Sequence, residues 1–198
     1  MTETVAALLR HVRSRGVPGV PAPGEWLPGD VPAYPMPGWV WEAGVLDEAA
    51  RWLRRFHDAT LDFPRAGREW MLGVRKPAEV ICHGDFAPYN MVFSDGRLVG
   101  VIDYETAGPA PRAWDLAYLA YRLVPLAAPG NPDLPARRDA DDRLARLCEA
   151  YGGADPGEVR ALIPQRLDEL ATWTTARGGE FVRHAAQYRA DASYVRGR

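Results

Sequence analysis

Apolar residues recur at helical spacing in the first fifteen positions. Val5, Leu8, Leu9 and Val12 share one face, and Gly16 and Pro18 close the segment. The spacing predicts a helix over 2–15. A second helix is predicted over 43–59, where Leu46, Ala49, Ala50, Leu53, Phe56 and His57 line one face. Asp47 and Glu48 suit its first turn, near the positive end of the helix dipole. Residues 18–37 between the two are rich in proline and glycine, which excludes regular helix and central strand. Tyr34, Trp39 and Trp41 are the side chains that would anchor this stretch to a core.

The periodicity then changes. Residues 79–82 form a short apolar run, and two further runs, 91–93 and 98–102, flank Ser94-Asp95-Gly96-Arg97. Asp-Gly between apolar runs signals a hairpin. Beyond Arg112 the pattern is helical, over 112–126, about 138–152, about 155–176 and 179–195. Pro129, Gly130 and Pro132 break the loop after the first of these, and Gly152-Gly153 stops the second. The expected fold class is α+β, mostly helical with a small central β-hairpin.

Composition narrows the function classes. The chain has 198 residues, 47% of them hydrophobic and 25% charged, the balance of a globular protein. A formal net charge of −2 offers no global basic field, so no nucleic-acid partner is expected. No apolar run is long enough to span a membrane. Arg10, His11, Arg13 and Arg15 interrupt any signal-peptide core, so a cytoplasmic location is expected. Only one lysine occurs, Lys76; every other strongly basic residue is arginine. A mechanism that needs a lysine must therefore use Lys76. Cys82 and Cys148 lack metal or redox spacing and are expected to be small buried residues.

The chemistry-bearing stretch is Ile81-Cys82-His83-Gly84-Asp85, then Asn90, the hairpin, and Asp103 after the second strand. The hairpin turns the chain back, so Asp103 returns toward Asn90 and Asp85. Three hard oxygen donors from one short segment suit Mg²⁺, which completes its shell with water and phosphate oxygens.

At these residues the sequence resembles the aminoglycoside phosphotransferase family, relatives of the protein kinases. His83-Gly84-Asp85-x4-Asn90 is similar to the kinase catalytic loop, and Asp103 to its metal-binding aspartate. Gly108 and Trp114-Asp115-Leu116-Ala117 resemble the family's Gly…Asp-Leu-Ala element. The resemblance implies a kinase-like C-terminal lobe over 25–198 and a remnant of the N-terminal lobe over 1–24. It implies that Asp85 accepts the acceptor's proton and that Asn90 and Asp103 hold Mg²⁺. His83 and Asp115 would be structural braces. Glu25, Trp26 and Leu27 would lie in the hinge that cradles the adenine of ATP, and His57-Asp58 would be a packed helix end.

The departure lies upstream. Only 24 residues precede that hinge, with no β-hairpin, glycine-rich loop or lysine. Arg10, Arg13 and Arg15 offer positive charge on what reads as a solvated face. ATP binding is therefore expected to be weak and carried by the metal, with a second copy or a partner chain available to complete the nucleotide site. The implied activity is phosphoryl transfer to a hydroxyl of a small acceptor, of the kind that confers antibiotic resistance. The alternative is a catalytically weak or inactive pseudokinase that binds a ligand or partner, as an immunity or resistance protein does. The acceptor site would lie between the catalytic loop and the C-terminal helices. Those helices carry Asp139, Asp141, Asp142, Glu149, Asp168, Glu169 and Glu180, read mainly as caps and surface pairs. Trp173, Tyr188 and Tyr194 would line a pocket or fill the core, with the core the expectation.

Overall fold

The computed structural model describes residues 1–124, 126–135, 139–179 and 181–197. Pro125, Arg138 and Glu180, which fall within the predicted segments, lie outside the described residues. Helix α1 covers Glu3–Ser14 and starts where Thr2 Oγ1 accepts the Val5 N–H at 3.2 Å. Its Leu8, Leu9 and Val12 are buried against α2, Ala43–Ala59, as the periodicity required.

The proline-rich stretch is a strap, held by backbone bonds where side-chain periodicity is absent. Gly19 O accepts the Val101 N–H at 3.0 Å, and Asp30 and Phe93 exchange bonds at 2.7 and 2.8 Å. Trp52 Nε1 donates to Pro18 O at 2.8 Å, and Trp39 packs edge-on against Phe93 at 4.9 Å. The strap therefore lies along the hairpin of β2, Met91–Ser94, and β3, Arg97–Val101. Ser94 pairs with Arg97 around Asp95 and Gly96, both at positive φ, the turn that Asp-Gly favours.

A second two-stranded sheet was not foreseen. Strand β1, Val80–Cys82, pairs antiparallel with β4, Gly108–Ala110, with Cys82 opposite Gly108. Gly-Pro-Ala reads as a turn, but a two-stranded sheet has only edges, where a proline without an N–H is tolerated. Four helices complete the molecule: α3 (Arg112–Leu123), α4 (Ala140–Tyr151), α5 (Pro156–Arg177) and α6 (Phe181–Arg196). α3 is buried on all sides between β1 and α5, and α5 packs along α6. Among the described residues no strand precedes residue 25, and no helix is long and apolar enough to cross a membrane.

The strap makes its closest approach at Gly19. Its φ is +68°, and a Cβ there would stand 2.1 Å from Val99 O. Gly67 has a φ of +70° with nothing within 4 Å. Gly67→Ala is expected to cost about 1 kcal/mol of stability from backbone strain. Gly19→Ala is expected to cost about 3 kcal/mol or more, because strain and a backbone clash add. Urea unfolding of the two variants compares them directly. Equal losses would mean that the strap does not depend on this contact.

Candidate active site

The site is assembled around a buried carboxylate. Asp115 sits in the first turn of α3 and is 1% exposed. It accepts the backbone N–H groups of His83 at 2.6 Å and Gly84 at 3.0 Å. The His57 Nε2, from the last turn of α2, lies 3.1 Å away. Burial pushes the Asp115 pKa up, but hydrogen bonds from the His57 ring and the Gly84 N–H outweigh it, and the net direction is down. Asp115 is therefore the ionised partner. His57 has its pKa lowered, chiefly by burial, with Asp115 opposing, so it is the neutral one. Its other ring nitrogen meets the Tyr151 hydroxyl at 2.8 Å.

The ligand atoms of His57, Cys82 and Asp115 all lie within 4.8 Å of one another, yet their hydrogen bonds occupy them. Cys82 Sγ donates to Pro111 O at 3.3 Å, and burial, together with the negative Asp115, raises its thiol pKa well above the usual value. The trio is a hydrogen-bonded brace, and Cys82 is the buried thiol that its spacing implied.

That brace presents the loop 83–90. Gly84 has a φ of +84°, and a Cβ there would stand 2.2 Å from Thr106 O, so only glycine fits between His83 and Asp85. His83 is fully buried; its Nε2 lies 3.0 Å from Ile102 O and its Nδ1 accepts the Asp85 N–H at 3.3 Å. Asn90 is 6% exposed and donates through Nδ2 to Asp85 O at 2.9 Å and Asp85 Oδ2 at 3.0 Å. With both donor bonds spent on Asp85, the Asn90 amide oxygen accepts nothing from the described residues and is open to a cation. Ile102 N–H donates to Asn90 O at 2.9 Å, which brings the next residue, Asp103, back beside the loop. Asp103 is exposed and adopts a φ of +62°, a sharp corner at the end of the hairpin. The backbone thus sets Asp103 next to the loop that carries Asp85 and Asn90, and carboxylate and amide oxygens are donors of the kind a small divalent cation takes.

A donor chain fixes the Asp85 carboxylate. The Tyr89 hydroxyl donates to Asp85 Oδ1 at 2.8 Å and lies 2.7 Å from the Tyr118 hydroxyl. Arg122 Nε and Nη2 donate to that Tyr118 hydroxyl at 3.1 and 2.9 Å. Proton counting sets the direction: Arg122 donates to Tyr118, Tyr118 to Tyr89, and Tyr89 to Asp85. Burial pushes both tyrosine pKa values up and keeps the hydroxyls protonated, with Arg122 opposing. Arg122 is 5% exposed and also donates to the Tyr34 and Tyr188 hydroxyls, at 3.0 and 2.9 Å. Sequence reasoning missed this chain and the Asp115 bond of His57. The available signal was a charged residue, Arg122, inside a helix otherwise apolar around its circumference.

Beside Asp85 opens a cavity of about 310 Å³ between the loop and helices α3, α5 and α6. Of the described acids named on the C-terminal helices, Glu169 alone lines it. Asp141 and Asp168 pair with Arg160 and Arg196 at the surface. Trp173 and Tyr188 face this cavity, which corrects their assignment to the core alone. Arg10, Arg13 and Arg15 are ion-paired with Glu3, Glu25 and Asp62, as a solvated face would be. In the expected hinge, Glu25 Oε2 accepts the Ala22 N–H at 2.6 Å, and Trp26 is 82% exposed. Leu27 covers Gly100 of the hairpin. No hydrogen bond or ion pair joins Glu25 or Trp26 to Asp85, Asn90 or Asp103 among the described residues.

Residues 3–162 match the phosphotransferase enzyme family, APH, and the chain belongs to that family. Among curated proteins it is 32% identical over 133 residues to a trifolitoxin immunity protein of Rhizobium leguminosarum bv. trifolii, covering 59% of this chain and 49% of that one. It is 46% identical over 94 residues to an aminoglycoside 3'-phosphotransferase of Salmonella typhimurium, covering 48% of this chain and 30% of that one. The matched stretches thus span half or less of these curated relatives. Among solved structures, the aminoglycoside phosphotransferase APH(3'')-Id of Streptomyces rimosus, in complex with ADP and streptomycin, superposes with a TM-score of 0.52 at 16% identity. That match covers 93% of this chain and 82% of the other, and at such identity it establishes the kinase-like fold.

The neutral, buried His57 makes stability depend on pH. Its folded-state pKa lies below the unfolded value of about 6.5, so the unfolded chain takes up a proton that the folded chain refuses. This share of stability is complete above about pH 6.5 and is lost as the pH falls through that value, by up to ~1.4 kcal/mol per pH unit. Urea unfolding between about pH 7.5 and pH 5 should show that slope. His57→Gln, which cannot titrate, should flatten it. An unchanged slope in the variant would assign the acid sensitivity to other groups.

Proposed function

We propose that the protein is a magnesium-dependent phosphotransferase that moves the γ-phosphoryl group of ATP to a hydroxyl of a small acceptor. The observation that supports this most is the Asp85–Asn90 pair, with its carboxylate lining a ligand-sized cavity and its backbone tied to the residue before Asp103. In this reading Asp85 orients the acceptor hydroxyl and takes its proton. Tyr89 and Asn90 hold the two carboxylate oxygens, so the group needs no reorientation when the hydroxyl arrives. The acceptor oxygen forms the new bond to phosphorus, and the bond to the bridging oxygen breaks as ADP leaves. Asn90 and Asp103 would hold Mg²⁺, which neutralises charge on the phosphates when bound. His83 and Asp115 position the loop without touching substrate.

Residues 1–24 take the place of the N-terminal lobe, and 25–198 form the catalytic lobe, with Glu25, Trp26 and Leu27 as the edge on which adenine rests. Residues 1–24 hold one helix, no strand and no lysine, and Lys76 lies exposed just before β1. Two charge-assisted hydrogen bonds fewer would cost about 3–6 kcal/mol. That is roughly two to four decades of affinity, so ATP should bind near the millimolar range.

The similarity to an immunity protein supports a second reading, a catalytically weak member that sequesters its ligand. Calorimetric titration separates the two. The first reading expects weak Mg-ATP binding, lost on adding EDTA and lost in Asp103→Ala. It also expects Asp85→Asn to keep that binding while abolishing phosphate transfer. ATP binding that survives both EDTA and Asp103→Ala would refute the metal assignment. No Mg-ATP binding at about 10 mM, a decade beyond the millimolar range expected here, would favour the sequestering reading.

A further inference from the structure

The cavity beside Asp85 has an unusual charge arrangement for an acceptor pocket. Its walls are aromatic: Trp114, Tyr118, Trp173 and Tyr188 face it. Arg166 lines it while only 4% exposed. One amino group of its guanidinium donates to Gly84 O, in the loop that carries Asp85. The guanidinium lies 4.7 Å from the Tyr118 ring centre and 5.3 Å from that of Trp114. Its Nε has no hydrogen-bond partner, and no described carboxylate pairs with it. Glu169, the one acid that α5 brings to the cavity, is ion-paired with Arg75. The Arg75 guanidinium in turn stacks on Trp114 at 3.7 Å.

Among the described residues the pocket thus holds two arginines, His184, one neutralised glutamate, and Asp85, which the proposed chemistry reserves for the hydroxyl. Among the described residues a polycation would meet two guanidinium groups and no unneutralised carboxylate except Asp85. A buried arginine without a counter-charge is the costly feature of this pocket, and a ligand anion would relieve it. The volume, about 310 Å³, stands at the small end of ligand pockets, typically ~300–1,000 Å³.

We propose that this cavity takes a compact, hydroxyl-bearing acceptor with a flat apolar body and one anionic group. The body lies among Trp114, Trp173 and Tyr188, and the anion answers Arg166. This names the acceptor class and rests on the reading of Asp85 above. Arg75 and Glu169 tune the preference: the pair is half-exposed, and losing the acid frees a second cation at the pocket wall.

The test is calorimetry and tryptophan fluorescence on the nucleotide-free full chain, with three probes. They are 3-phenyllactate, its uncharged methyl ester, and streptomycin as the polycation. Phenyllactate should bind at least ~10-fold more tightly than either of the others and should quench tryptophan emission. Arg166→Gln should erase the preference for the acid over the ester. Arg166 is buried, so a second variant guards against misfolding: Glu169→Gln, at the half-exposed pair, should tighten phenyllactate about threefold or more. Four results would overturn the proposal: streptomycin binding most tightly, acid and ester binding equally, no probe binding below about 10 mM, or Glu169→Gln weakening the acid. Phenyllactate binding in a protein that transfers no phosphate from Mg-ATP would refute the phosphotransferase reading and leave this one standing.

Discussion

Asp115 takes N–H donors from His83, Gly84 and the His57 ring while almost wholly shielded from water. A lone carboxylate in that position would be expensive to ionise. Here its donors come from two distant parts of the chain, α2 and the loop after β1, so ionisation and tertiary structure require each other. The first turn of α3 adds the favourable end of the helix dipole. The bond network ties α2, β1 and α3 together, and the loop 83–90 can leave β1 in one direction only. Every distance at the site depends on that departure. Gly84 follows from it, because the loop passes too close to Thr106 for any side chain. Hydrogen bonds to a charged group contribute roughly 1.5–3 kcal/mol each, which makes this carboxylate a dominant local contribution.

Buried arginines play the complementary part. Arg122 and Arg166 both lie in the interior and are solvated mainly by tyrosine and tryptophan. Arg122 meets five tyrosines through hydroxyl or ring, from the strap, the 83–90 loop, α3 and α6, with Asp133 only at 3.9 Å. Its donor chain ends on Asp85, so a positive charge about three hydrogen bonds away polarises the proposed base without contacting it. Arg166 holds Gly84 O and faces the cavity. The loop is therefore held from behind by a carboxylate and from the side by two guanidinium groups. The strap along the hairpin and α1 against α2 complete the support on the side where nucleotide would enter.

Much of this was legible in the sequence. The 3.6-residue pattern places α2 at 43–59 as observed, because Leu46, Leu53 and Phe56 bury a clean stripe. Asp95-Gly96 marks the hairpin because few dipeptides tolerate two positive φ angles. The return of the chain to Asn90 at Ile102, next to Asp103, follows from that turn. Strand β4 was not legible, since Gly108-Pro109-Ala110 has turn composition and becomes a strand only by pairing with β1. The partners of Asp115, Arg122 and Arg166 were not legible either. His57 and Tyr151 are 94 positions apart, and nothing local encodes their bond. Trp173 and Tyr188 fit the helical core pattern equally well whether they face a core or a cavity, because periodicity reports a face and not its occupant.

The most direct test of the Asp115 account is amide hydrogen exchange across 81–90 in the wild type and in Asp115→Asn. Asparagine keeps the shape but removes the charge and turns one acceptor into a donor. The account predicts that the His83 and Gly84 amides exchange slowly in the wild type. In Asp115→Asn they should lose protection by a factor of ~10 or more, while the β2–β3 amides, bonded within their own hairpin, keep theirs. Unchanged protection at His83 and Gly84 in the variant would contradict it, because the loop would then hold its course without the carboxylate.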